Sequence, residues 1–221
     1  MQQMWTDLDN YIDSHLIPDD PILKQTLENT AAHGFPDHLA VAANQGMLLQ
    51  MLIQMNGCKR VLELGTFAAY STMWLARALP EDGYILTIEG RDTHAAMGQE
   101  NIERANLKQT VELKCGRAAD ILKALPEDTE PFDFIFIDAD KQSYPEYLEL
   151  SLKLSRSGTV IFLDNVIRAG AIIDLDNNKP SIEGIRSMFE AMQNHPRLLS
   201  STALQTVGSK GHDGFALAIV K

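Results

Sequence analysis

The 221-residue sequence is short of cysteine, of basic side chains and of long apolar runs. Its two cysteines, Cys58 and Cys115, lie far apart without metal-ligand spacing, which excludes a disulfide framework and a cysteine zinc site. Both are expected to be buried, reduced thiols. Lysine and arginine number 19 against 30 aspartates and glutamates, a formal net charge of −11. A field of that sign repels phosphates, which weighs against a nucleic-acid binder unless a local basic groove forms. The most apolar stretch, residues 46–55, is interrupted by Gln50 and Gln54 and is too short to span a bilayer. The opening MQQMWTDLDNYIDSHL is acidic and has no basic region followed by an apolar one, so it does not read as a signal peptide, and a cytoplasmic location is expected. Missing too are G-x-G-x-x-G, a phosphate loop, G-x-S-x-G and H-E-x-x-H, which leaves dinucleotide, phosphate-loop, serine-hydrolase and zinc-peptidase chemistry unsupported. The histidines, His15, His33, His38, His94, His195 and His212, form no pair at helical spacing and read as surface or packing residues.

With 45% hydrophobic and 22% charged residues, the chain has the balance of one ordinary globular domain. Residues 1–57 read as a helical extension in three pieces, separated by Pro18–Pro21 and Gly34–Pro36. In the third piece Met47, Leu48, Met51, Leu52 and Met55 recur at helical spacing and are expected to pack into the core. From residue 58 onward β-rich runs alternate with helices. Strands are expected at Arg60–Leu64, Tyr84–Glu89, Val111–Lys114, Phe132–Asp138 and Thr159–Leu163. Helices are expected near Ser71–Leu79, Thr93–Ala105, Ala118–Leu125 and Tyr144–Leu154. Apolar strands separated by helices imply a parallel α/β sheet covered on both faces. A helix near Ile182–Asn194 then leads to Leu198–Gln205 and Phe215–Val220, joined by a glycine-rich segment as an antiparallel edge hairpin.

Ligands of such sheets sit beyond the carboxyl ends of the strands, and polar residues gather there. Glu63 and Gly65 close the first strand before a helix, where glycine lets backbone approach a ligand and the helix start offers free N–H groups. Glu89 ends the second strand, where a carboxylate suits a ribose diol. Singly these are a turn glycine and a solvated acid; together they favour an adenosine-type ligand without a diphosphate. Asp138, Asp164 and Asn165 close two further strands and are hard oxygen ligands suited to Mg²⁺ or Ca²⁺. Asp140 is a spare carboxylate in the same turn, and Lys141 beside a divalent cation becomes usable as a general base. The plainer alternative is that Asp138 and Asp140 cap a loop and pair with Lys141.

VLELGTFAAYSTMWLARALP (61–80), EDGYILTIE (81–89), FDFIFIDADKQSYPEYLE (132–149), LDNVIRAGAI (163–172) and DGFALAIVK (213–221) resemble the metal-dependent class I S-adenosylmethionine O-methyltransferases of the catechol and caffeoyl-CoA type, bacterial relatives included. The likeness covers about residues 40–221, and IDADK followed by DNV is its most specific part. It implies a Rossmann-like, seven-stranded, mostly parallel sheet with the last strand antiparallel. It also implies Glu63, Gly65, Tyr70 and Ser71 around the methionine part of S-adenosylmethionine, Glu89 on the ribose, and the turn of Gly116, Arg117 and Ala118 near the adenine, with Asp138 beside the cofactor. Asp138, Asp164 and Asn165 would be the metal ligands (Mg²⁺, with Ca²⁺ or Mn²⁺ as alternatives) and Lys141 the base. The partners implied are a small hydroxylated acceptor and a second copy of the chain.

Two positions depart from the family pattern. Ala69 stands where glycine is usual, so a turn needing positive φ would carry an extra methyl. Val207 stands where animal catechol enzymes have a glutamate for the second hydroxyl, which favours a larger phenylpropanoid-like acceptor over simple catechol. Two other readings stay open. One is a tRNA-modifying relative, should Lys108, Lys114, Arg117 and Lys123 gather on one face; the other is a cofactor-binding protein that has lost catalysis.

Overall fold

The computed structural model describes residues 1–36 and 39–221, so His38 lies outside the described residues. Three helices come first: α1 (Gln2–Leu16), α2 (Pro21–Ala32) and α3 (Ala43–Met55). Asp20 caps α2, its Oδ1 accepting the Ile22 and Leu23 N–H groups ahead of Pro21 at the first helical position. Then strands and helices alternate: β1 (Arg60–Leu64), α4 (Tyr70–Ala78), β2 (Tyr84–Glu89), α5 (Asp92–Ala105), β3 (Thr110–Cys115), α6 (Ala118–Ala124), β4 (Phe132–Ile137), α7 (Tyr144–Lys153) and β5 (Ser155–Asp164). The chain ends in α8 (Pro180–Met192), β6 (Leu198–Gly208) and β7 (Gly211–Val220). Among the described residues no helix is long and apolar enough to cross a membrane.

The seven strands lie in the order β3-β2-β1-β4-β5-β7-β6, and β7 runs antiparallel to both its neighbours. Reversal of the order at β1 and β4 opens a crevice beyond their carboxyl ends. Side chains of β4 are buried along its whole length, as a central strand covered on both faces requires. Leu62, Ile135, Ile161 and Ala216 face one apolar layer under α7 and α8; Val61, Phe134, Phe136 and Phe162 face the other, under α3 and α4.

Three expectations need correction. The expected stripe is only half right: Met47, Leu48 and Leu52 are partly buried against the core, but Met51 is 49% and Met55 80% exposed, and the buried residues of α3 are Gly46, Leu49 and Ile53. Gly46 lets α3 approach α4 closely on this face, since a Cβ there would lie 2.4 Å from the Trp74 indole nitrogen. The glycine-rich segment expected between Gln205 and Phe215 is shorter than its composition suggests, since β6 and β7 continue through Gly208 and Gly211 to a two-residue turn. Gly214 sits within β7 because a Cβ there would meet the Leu204 carbonyl oxygen at 2.2 Å. Cys115 is exposed, because β3 is the far edge of the sheet, and its thiol donates to Asp92 Oδ1 at 3.0 Å; Cys58 is buried.

At the opposite end of the sheet, buried Asp133 ties three segments together. Its Oδ2 accepts the Lys59 and Arg60 N–H groups at 2.7 and 2.9 Å, and its Oδ1 the Arg156 guanidinium at 2.6 Å. Burial raises its pKa, but these donors outweigh burial and hold the carboxyl below its ordinary value. A depressed folded value means stabilisation that is present above the unfolded pKa of about 3.9 and lost as pH falls through the folded value. Asp133→Asn should therefore cost about 2–3 kcal/mol at pH 7. The gap to wild type should shrink at pH 3, as urea denaturation at the two pH values will measure.

Candidate active site

The strand-end residues border two cavities. The first, about 620 Å³, is walled by Gly65, Thr66, Phe67, Tyr70, Ser71, Glu89, Arg91, His94, Arg117, Ala118, Asp140 and Tyr147. The second, about 530 Å³, is walled by Asp9, Asn44, Gln45, Leu48, Asp164, Arg168, Val207, Asp213 and Phe215. Asp138 and Asn165 belong to both, as do Leu39, Ala40 and Val41 from the segment ahead of α3. The two spaces thus meet at one carboxylate and one amide.

Gly65 has φ 100°, and a Cβ there would lie 2.3 Å from the Asp138 carbonyl oxygen. The β1 and β4 turns touch backbone to backbone, and only glycine allows it. Ala69 is left-handed at φ 63° and ψ 21°, so the conformation that favours glycine is adopted with alanine in place. Its N–H still donates to Thr66 O at 2.8 Å, and its methyl is buried against α4. That burial, about 0.8 kcal/mol for a methyl-sized group, offsets most of a left-handed strain of about 1 kcal/mol.

Glu89 is buried, and its two oxygens accept the Phe67 and Arg91 N–H groups at 2.8 and 3.0 Å. Those bonds aim the carboxylate at the first cavity and leave lone pairs for a ligand hydroxyl. Glu63, in contrast, is not on a cavity wall. It is wholly buried beneath the turn, with Ser71, Thr72 and Thr87 hydroxyls donating at 2.5, 2.5 and 2.7 Å. Burial lifts its pKa to about 7 against the pull of those hydroxyls. Its reach toward a ligand is through Ser71. Gly116 also stands back from the wall, while Arg117 and Ala118 beside it line the cavity.

Lys141 Nζ donates to Asp138 Oδ1 at 2.6 Å and lies 5.1 Å from the centre of the Tyr144 ring. The Tyr144 hydroxyl, fully buried, bridges the carbonyls of Ile137 and Asp164 at 3.1 and 2.7 Å and so pins the ends of β4 and β5 together. Asp140 accepts from Tyr147 and Ser143. Asp164 is buried, and burial together with the Asp138 charge raises its pKa to about 7. No group of three His, Cys, Asp or Glu side chains suited to a metal occurs among the described residues. Asp138, Asp164 and Asn165, two carboxylates with an amide, are a set of a different kind.

Several wall residues gave little sign of themselves in the sequence. His94 stacks edge-on against Phe35 and Phe67 and lies 3.5 Å from Glu89, which makes it a cavity residue and not merely packing. Asp9, Asn44 and Gln45 come from helices with no strand-end signature. Lys108, Lys114, Arg117 and Lys123 do not gather into a basic face, since each is paired with an acid: Glu81, Glu112, Asp120 with Glu146, and Glu146.

Known proteins carry the same architecture. A family model described as O-methyltransferase matches residues 13–218. A protein of Niastella koreensis named catechol O-methyltransferase is 46% identical over 220 residues, 99% of each chain. One of the same name from Mycobacterium tuberculosis is 41% identical, over 97% of this chain and 96% of its own. The crystal structure of the O-methyltransferase from Bacillus cereus in complex with SAH superposes with a TM-score of 0.96 at 50% identity over the whole of both chains. TomG from Streptomyces achromogenes, in complex with SAM, gives 0.94 at 41% identity over 100% of this chain and 98% of its own. The chain belongs to the O-methyltransferase family, enzymes that take their methyl group from S-adenosylmethionine.

Gly65→Ala should weaken S-adenosylhomocysteine binding at least tenfold, about 1.4 kcal/mol, because the methyl has no room beside the Asp138 carbonyl. Calorimetry on the folded variant measures it, and affinity equal to wild type would contradict the backbone contact.

Proposed function

We propose that the enzyme methylates one hydroxyl of a small acceptor with two adjacent hydroxyls, catechol-like or phenylpropanoid-like, held by a divalent cation. The observation that carries this reading is the meeting of the two cavities at Asp138 and Asn165. S-adenosylmethionine takes the first cavity, with Glu89 toward its ribose, Gly65, Tyr70 and Ser71 near its methionine part, and Arg117 and Ala118 toward its adenine. The acceptor takes the second, its ring against Leu48, Val207 and Phe215. Two relatives named catechol O-methyltransferase support the acceptor class. The apolar Val207 on that wall favours an acceptor larger than catechol.

The residues fit a hard cation. Burial and the nearby Asp138 charge raise the Asp164 pKa, and a divalent cation held by these residues would favour their charged forms. Asp138, Asp164 and Asn165 would hold it. When bound, a divalent ion lowers the pKa of a coordinated phenol, about 10 when free, and orients the oxygen. The remaining steps belong to the chain. The walls of the two cavities hold the acceptor oxygen in line with the sulfonium methyl. As the oxygen–carbon bond forms, the carbon–sulfur bond breaks with its electron pair left on sulfur. Lys141 is an ammonium while it is paired with Asp138; with a divalent cation held at Asp138 it would lose that proton to solvent, and as the neutral amine its Nζ would receive the phenolic proton. Glu89 and the Phe67 N–H that it accepts fix the cofactor side.

EDTA-treated enzyme should lose methyl transfer to a catechol and phenylpropanoid panel and regain it with Mg²⁺. Lys141→Ala should lower the rate about 10²- to 10⁴-fold with S-adenosylhomocysteine affinity kept. Full activity in EDTA would sink the metal reading, and transfer to bulk tRNA alone would replace the acceptor.

The proposal includes a homodimer. No residue of α1 is buried, and Met4, Leu8 and Tyr11 are exposed along one helical stripe, with Leu16 exposed at the helix end and Met51 and Met55 on α3. Monomers rarely keep such surfaces open. Light scattering should give twice the 24.5 kDa chain mass. Leu8→Glu with Tyr11→Glu should restore the monomer, and a monomeric wild type would refute the dimer.

A further inference from the structure

We propose that Gln45 is a positioning residue that fixes the carboxylate of Asp164 for the cation, an inference that rests on the metal reading above. Gln45 is the third residue of α3, and its Nε2 donates to Asp164 Oδ2 at 2.7 Å across 119 positions of sequence. Asp164 is 4% exposed, and its Oδ1 accepts the Asn165 N–H at 2.8 Å. Among the described residues the Gln45 amide is the donor that holds Oδ2. Without it this oxygen is buried with no protein partner, and the carboxylate is free to turn about its last torsion.

The choice of an amide matters. Lys141 places an ammonium on Asp138, whereas the Gln45 amide restrains Asp164 without adding a charge of its own. The turn that carries the amide is itself held on both sides. Gly46 is packed so closely on Trp74 that a Cβ would lie 2.4 Å from the indole nitrogen. Asn44 donates to Asp9 Oδ1 at 3.1 Å, and Asp9 Oδ2 accepts the Ser209 N–H at 2.7 Å. The N-terminal helices therefore set one ligand of the metal as well as a wall of the acceptor cavity.

The test is Mn²⁺ titration followed by electron paramagnetic resonance, with no acceptor present. Gln45→Leu should weaken Mn²⁺ binding about 10- to 100-fold. Its S-adenosylhomocysteine affinity and melting temperature should stay near wild type. Gln45→Met, of similar length, should do the same and serves if the leucine variant folds poorly. Asn44→Ala, which removes the bond to Asp9 but keeps the Gln45 amide, should weaken Mn²⁺ binding by less than either Gln45 variant. Wild-type Mn²⁺ affinity in both Gln45 variants, or an equal loss in Asn44→Ala, would overturn the positioning role. A wild-type enzyme that binds no Mn²⁺ would instead remove the metal reading, a result visible before any variant is made.

Discussion

The site depends on how closely two strand ends approach. The Asp138 N–H donates to Leu64 O at 2.8 Å, and the next residue, Gly65, lies against the Asp138 carbonyl with no room for a side chain. This backbone contact is where the sheet order reverses, so it creates the crevice and fills its centre with one acid. Any residue other than glycine at 65 would part the strands and separate the two cavities that Asp138 joins. On the far side, Tyr144 does for β4 and β5 what Gly65 does for β1 and β4. One contact works by the absence of a side chain, the other by a hydroxyl shared between two carbonyls.

Much of this was legible in the sequence because parallel strands are apolar throughout and end in polar residues. β1 and β2 have the bounds their composition implies, and Glu89, Asp138, Asp164 and Asn165 stand at strand ends. Long-range partnership was not legible. Glu63 looks like a ligand-facing acid, and only the fold reveals three hydroxyls from Ser71, Thr72 and Thr87 closing over it. Ser71 and Thr72 are eight and nine residues away, Thr87 twenty-four, and serine and threonine in a helix normally carry no such signal. The face of α3 was half misread for a related reason. Methionine and leucine spacing marks an apolar stripe, yet the close approach to α4 is made where a glycine fits an indole.

The acidity of the chain takes on meaning from how each buried carboxylate is satisfied. Asp133 has a guanidinium and two N–H groups; Glu89 has two N–H groups; Glu63 has three hydroxyls; Asp138 has an ammonium. Asp164 has one neighbouring N–H and one amide, while the charge of Asp138 pushes against it. Burial raises the pKa of both Glu63 and Asp164 to about 7, and of the two Asp164 is the one on a cavity wall. A fold does not keep a weakly compensated carboxylate beside another carboxylate for stability, since an apolar pair there would serve better. On the metal reading proposed above, a cation would supply the positive charge that these neighbouring acids share. The net −11 is then not only a surface property, since part of it is buried at the ends of β4 and β5.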